Sequence, residues 1–210
     1  MINYLFSSIN TENGFNKKQE ELIRKDILNN CIISFIPSDF DNYIKNDNSL
    51  SLYIKMFDNI GIVFKQVNLI DNRISQKNAK KLLNESDVIF LLGGIPEYQM
   101  KAIKKYDLID YIKKCKVVMG VSAGAMNQSK KIIYKDDFDN FEIKSYNGIG
   151  ITVINVFPHV NSENSKLYEE AKEVSSYMPV FALPDDSFVR IENGQFKIFG
   201  EFYYLDNRNQ

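Results

Sequence analysis

Ser122 lies in Gly120-Val121-Ser122-Ala123-Gly124, directly after the apolar run Val117-Val118-Met119. Gly-x-Ser-x-Gly is the spacing of a nucleophile elbow: the strand-to-helix turn leaves little room for Cβ atoms on its flanks and thrusts the hydroxyl outward. The bare pattern arises by chance in roughly one chain of this length in ten or twenty, so its surroundings decide its weight. An apolar run precedes it, and Ala123 to Lys130 can begin a helix whose first amide gains from the helix dipole. A serine nucleophile needs a base, and the chain has a single histidine, His159, just past the run that ends at Phe157-Pro158. An imidazole in turn needs a carboxylate to orient it. Asp185, with Asp186 beside it, follows Pro184 at the end of the run Val180 to Leu183, and Asp137 is the alternative acid. Acyl transfer also needs donors for a developing oxyanion. Gly93-Gly94 closes the run Val88 to Leu92, and the Gly94 and Ala123 amides are assigned as that pair.

The same counts exclude other chemistries. One histidine and two distant cysteines, Cys31 and Cys115, make neither a zinc cluster nor a CxxC dithiol, so no metal is expected. Both cysteines adjoin apolar stretches and read as small buried hydrophobes. Neither GxGxxG nor GxxxxGK[ST] occurs, which argues against a nucleotide, and no organic cofactor is expected. Lys plus Arg total 26 against 27 Asp plus Glu, for a formal charge of -1, so nucleic-acid or membrane partners are not expected. The first residues lack the basic and long apolar regions of a signal peptide, and no window approaches 18 apolar residues. A cytoplasmic location is the expectation, as unpaired cysteines also suggest.

These residues need elements to hold them. The runs at 32–36, 62–70, 88–92, 117–119, 151–157 and 180–183 read as strands buried on both faces of a parallel sheet. Helical patterns fill residues 16–29, 76–83 (capped by Ser75), 97–114 and 163–177. Their alternation predicts an α/β fold, a mainly parallel sheet flanked by helices. Residues 187–191 and 195–199 flank Glu192-Asn193-Gly194, the signature of a C-terminal β-hairpin. No repeat or linker divides the chain, so residues 1–210 read as one domain, large enough to bury about 70% of its unfolded surface. In such a sheet, sites form beyond the carboxyl ends of the strands, which is where Ser122, His159 and Asp185 all fall.

The order Ser, His, acid differs from the Ser, acid, His of α/β-hydrolases. With Leu91-Leu92-Gly93-Gly94, Gly120-Val121-Ser122-Ala123-Gly124-Ala125, Pro158-His159 and Ala182-Leu183-Pro184-Asp185, it resembles peptidase family S51, the family of peptidase E (aspartyl dipeptidase) and cyanophycinase. The resemblance implies a flavodoxin-like, class I glutamine amidotransferase-like fold. It implies Ser122 as nucleophile, His159 as base and then acid, Gly94 and Ala123 as oxyanion hole, and Asp185 as the acid where the dipeptidases usually have Glu. It also implies a small peptide as substrate, with a homodimer as the one partner to allow for. Ile95-Pro96 and Val160 replace the family's usual Asn-Thr and Phe, and residues 161–173 contain no Arg. Strict preference for an N-terminal Asp is therefore not expected. An esterase or amidase on the same elbow, or a degenerate member that binds a metabolite or partner, remains the alternative.

Overall fold

The structure, a computed structural model, describes residues 1–135 and 143–208. Five strands lie parallel: β1 (Ile2–Phe6), β2 (Ile32–Ile36), β3 (Gln66–Leu69), β4 (Val88–Leu91) and β5 (Val117–Val121). They stand in the order β1-β5-β4-β2-β3. Along β4 the side chains alternate between two cores. Val88 and Phe90 join one that includes Leu22, Ile23, Met56 and Phe57, whereas Ile89 and Leu91 join another with Leu83, Met100, Ile103 and Ile112. Because helices cover both faces, an alternating pattern is not selected and the strand reads as one apolar run. Burying a side chain such as Phe90 contributes about 2–3 kcal/mol.

The covering helices are α1 (Lys17–Asp26), α2 (Tyr43–Asn59), α3 (Gln76–Glu85), α4 (Pro96–Lys105) and α5 (Ile109–Lys114). Asn16 caps α1 in a capping box with Gln19, and Ser75 caps α3 as the sequence predicts. The single helix expected over 97–114 is two. Asp107 takes φ 55, a left-handed conformation that aspartate tolerates, and Leu108 N–H turns back to the Ile103 carbonyl at 3.0 Å. The helix after Ser122 is also shorter than expected, a single turn named α6 (Ala123–Met126). The chain then enters β6 (Lys131–Lys135), which pairs antiparallel with β7 (Ile143–Asn147).

The run at 151–157 is not one strand. Only β8 (Val156–Phe157) is, because the carbonyl of Gln128 captures the Ile151 and Thr152 amides and ties this stretch to the end of α6. After α7 (Lys166–Ser175) comes β9 (Val180–Ala182), parallel to β8. The hairpin β10 (Phe188–Glu192) and β11 (Gln195–Phe199) adds two antiparallel strands to the edge of the main sheet beside β1. Asn193 (φ 52) and Gly194 (φ 81) make the expected two-residue turn. The last strand, β12 (Tyr203–Leu205), pairs antiparallel with β9. Thus β8, β9 and β12 form a second, three-stranded sheet. His159 and Asp185 follow strands of that small sheet, not of the main sheet that carries Ser122. No helix of the described residues is long and apolar enough to cross a membrane.

Candidate active site

Ser122 sits between β5 and α6 with φ 51 and ψ -114, a conformation an L-residue holds only when its surroundings impose it. The surroundings are visible. Ser122 N–H donates to the Phe6 carbonyl of β1 at 2.9 Å, and its own carbonyl accepts from Ala125 and Met126. A Cβ on Gly120 would collide with the Gly124 carbonyl, and one on Gly124 with the Leu91 carbonyl. Both glycines are therefore demanded by the close approach of β5, α6 and β4.

His159 follows β8 and Pro158 with φ 66. Its amide donates to Ser7 Oγ at 2.8 Å, and the Ser7 hydroxyl donates onward to the Leu183 carbonyl at 2.9 Å. Ser7, wholly buried at the end of β1, thus ties the loop after β8 to the segment after β9. The ring then spans two partners: Nε2 lies 3.0 Å from Ser122 Oγ, and Nδ1 lies 2.8 Å from Asp185 Oδ1. An ionised carboxylate cannot donate, so Nδ1 carries the proton and Nε2 is free to accept from the serine hydroxyl.

Asp185 is held from its other side as well. Asn161 Nδ2 donates to Asp185 Oδ2 at 2.9 Å, and the Asp185 amide donates to Asn161 Oδ1 at 2.8 Å. Partial burial pushes the Asp185 carboxyl up, but hydrogen bonds from Asn161, His159 and Ser8 outweigh it and hold it below the ordinary aspartate value. Asp186 is tied down through its backbone. At φ 64 its amide donates to Ser8 Oγ, and its carbonyl accepts from Asn16 and Gln19 at the start of α1. Asp137, the alternative acid, lies outside the described residues.

The glycine turn lies against the elbow: a Cβ on Gly93 would stand 3.5 Å from Ser122 Cβ. Gly94 has φ 137, and a Cβ there would collide with Ser38 Oγ, so only glycine fits. The turn is lashed down by buried amides. Gln99 Nε2 donates to the Ile36 and Leu92 carbonyls at 3.0 and 2.9 Å. Asn127 Nδ2, just after α6, donates to the Pro96 carbonyl and to Gln99 Oε1 at 2.9 and 3.0 Å. Ser7, Gln99, Asn127 and Asn161 all escape a reading of sequence, since common polar residues acquire these tasks only through distant contacts.

The basic side chains near the site fall into two groups. Lys166 and Lys172, the basic residues of the segment after His159, pair with Glu170 and Glu169 of their own helix at 3.2 and 3.1 Å. Lys45 of α2 instead brings its Nζ to 3.9 Å from the Cβ position of Gly94. Among the described residues no group of three His, Cys, Asp or Glu is placed to hold a metal ion. Cys31 and Cys115 are buried and unbridged, and burial pushes both thiols up to about 11, far from a reactive thiolate.

An outward serine on an elbow, an imidazole within hydrogen-bonding reach and a glycine turn alongside place this α/β protein in the class of serine-type hydrolases. The chain belongs to peptidase family S51, whose model matches residues 5–199, and it is a serine-type peptidase. Solved structures share the architecture. A peptidase from an acI-B1 Actinobacterium superposes with a TM-score of 0.70 at 16% identity, covering 98% of this chain and 91% of that one. A putative peptidase E protein from Listeria monocytogenes EGD-e gives a TM-score of 0.70 at 17% identity, covering 94% of this chain and 97% of that one. No curated protein matches the sequence.

Proposed function

We propose that the protein hydrolyses small peptides through an acyl-enzyme on Ser122, with His159 and Asp185 completing the triad. The observation that carries this reading is the position of His159, whose ring nitrogens meet Ser122 Oγ at 3.0 Å and Asp185 Oδ1 at 2.8 Å. His159 Nε2 takes the hydroxyl proton as Oγ attacks the scissile carbonyl, and the imidazolium formed is stabilised by Asp185. The Gly94 and Ala123 amides receive the oxyanion. His159 then gives its proton to the departing amine, which leaves an ester on Ser122. A water, deprotonated by the same nitrogen, hydrolyses that ester and restores the serine.

A serine already within reach of its base supports turnover over a site kept only for binding. A substrate carboxylate near the scissile bond would meet Lys45 rather than the lysines of α7. The test is covalent labelling by an aryl phosphonate together with a dipeptide-library screen on wild type and Ser122→Ala. Labelling and dipeptide turnover are expected in the wild type and lost in Ser122→Ala, with the melting temperature retained. Equal labelling of both proteins refutes the assignment, and turnover of simple esters alone would move it to an esterase. Loss of acidic substrates in Lys45→Ala, with neutral ones unaffected, is the expected result for the cation.

A further inference from the structure

We propose that Asn161 is a positioning residue that fits this site to an acid of aspartate length. The inference rests on the catalytic reading of Ser122, His159 and Asp185 given above. Asn161 spends both ends of its side-chain amide on one residue: Oδ1 accepts the Asp185 backbone N–H at 2.8 Å, and Nδ2 donates to Asp185 Oδ2 at 2.9 Å. Flipping the amide would break both bonds, so its orientation is fixed. The bracket also divides the carboxylate. Oδ2 is held by Asn161 and Oδ1 is left for His159 Nδ1 at 2.8 Å.

The geometry of the bracket sets a length. One planar amide reaches from the backbone N–H of a residue to the carboxylate of that same residue, a span that one methylene fills. With glutamate in that position the carboxylate would move a methylene outward, and Nδ2 could follow only if Oδ1 released the backbone. The bracket also joins acid to base. Asn161 stands two residues after His159, on a loop anchored where His159 N–H meets Ser7 Oγ at 2.8 Å and where Val160 N–H meets the Leu183 carbonyl at 3.0 Å. Leu183 lies two residues before Asp185. The base and the acid are thus held to each other along their backbones, and Asn161, beside a further hydrogen bond from Ser8 to the same carboxyl, closes the remaining freedom, rotation of the Asp185 side chain.

The test measures the inactivation constant kinact and the binding constant KI for an aryl phosphonate, with melting temperatures as a control on folding. In Asn161→Ala, kinact is expected to fall about 10- to 100-fold, the scale of a mispositioned catalytic group, with KI within twofold and an unchanged melting temperature. Asn161→Asp supplies a readout that a structural role would not move. The introduced carboxyl can donate to Asp185 Oδ2 only when protonated, so its deficit relative to wild type should shrink as pH falls. In a double-mutant cycle, Asp185→Glu should cost about 100-fold alone but under 10-fold in the Asn161→Ala background, where no bracket opposes the longer side chain. A kinact for Asn161→Ala within twofold of wild type, a deficit of Asn161→Asp that is constant with pH, or additive costs in the cycle would each overturn the inference. Ser122→Ala separates the two possible failures. Labelling that survives Ser122→Ala overturns the catalytic reading and the bracket with it, whereas labelling lost in Ser122→Ala but at full rate in Asn161→Ala overturns the bracket alone.

Discussion

Ser122 is kept in a conformation that costs of order 1–3 kcal/mol and persists because a bond to β1 and two glycine-tight crossings leave it no alternative. Removing the side chain separates that cost from its use. Ser122→Gly should abolish phosphonate labelling and at the same time raise stability by about 1 kcal/mol, since glycine adopts φ 51 without penalty. Ser122→Ala should abolish labelling with no such gain, because its Cβ retains the strain. Melting curves of the two variants side by side would check this, and equal melting temperatures would show that the turn stores no strain. The residues legible in the sequence, Ser122 from its motif and His159 and Asp185 from their places after apolar runs, are those whose types are scarce or chemically specific. Asn161 and Ser7 were illegible because asparagine and serine are common, and their partners stand 24 and 152 residues away in the chain.

At the scale of elements, the elbow depends on three chain segments meeting at glycines. Gly124→Ala should misplace β4 against α6, because its Cβ and the Leu91 carbonyl would claim the same space. The expected cost is roughly 3 kcal/mol, at the upper end for overpacking, with labelling lost along with it. Chemical denaturation of Gly124→Ala checks the first part, and a loss under 1 kcal/mol would mean that β4 yields easily. Strands β2, β4 and β5 are legible because burial on both faces writes them as continuous apolar runs. By contrast, α2 carries a diffuse pattern, with buried Asn46 beside Tyr53, Met56 and Phe57, and it passes unnoticed although it delivers Lys45. The first strand was equally silent: its Asn3 is buried against Gln128 rather than exposed, so Ile2–Phe6 shows neither alternation nor an uninterrupted run. The division of β8 and β9 from the main sheet cannot be read from the runs, since β9 is as apolar as any strand of the main sheet.

For the whole molecule, that division places Ser122 on one sheet and His159 and Asp185 behind another, so the geometry that joins the three depends on the mutual packing of the two sheets as much as on either. The main sheet has its own fastening at the amino end of the strands. Asp87 accepts from Ile32 N–H at 3.1 Å and from Lys116 Nζ at 2.8 Å. The Lys116 bond, assisted by the Ile32 amide and opposed by partial burial, holds its carboxyl below the usual aspartate value. A carboxyl depressed in the folded state contributes stability above its unfolded pKa and loses it as pH falls through the folded value. Asp87→Asn should therefore lower stability only slightly at pH 7, since Lys116 is exposed and its pair with Asp87 is screened by solvent, and the difference should fade as acid protonates the wild-type group. Urea midpoints between pH 7 and pH 3 would check this, and a gap that widens in acid would contradict it.

The solitary imidazole between Ser122 and Asp185 is also a spectroscopic reporter. In a chain with one histidine, a proton spectrum in D2O with the amides exchanged holds a single imidazole Hε1 signal, which needs no mutagenesis to assign. The protonation state of the imidazole, its response to a phosphonylated serine, and any separation of the two sheets before global melting can each be followed on that line, in the unaltered protein.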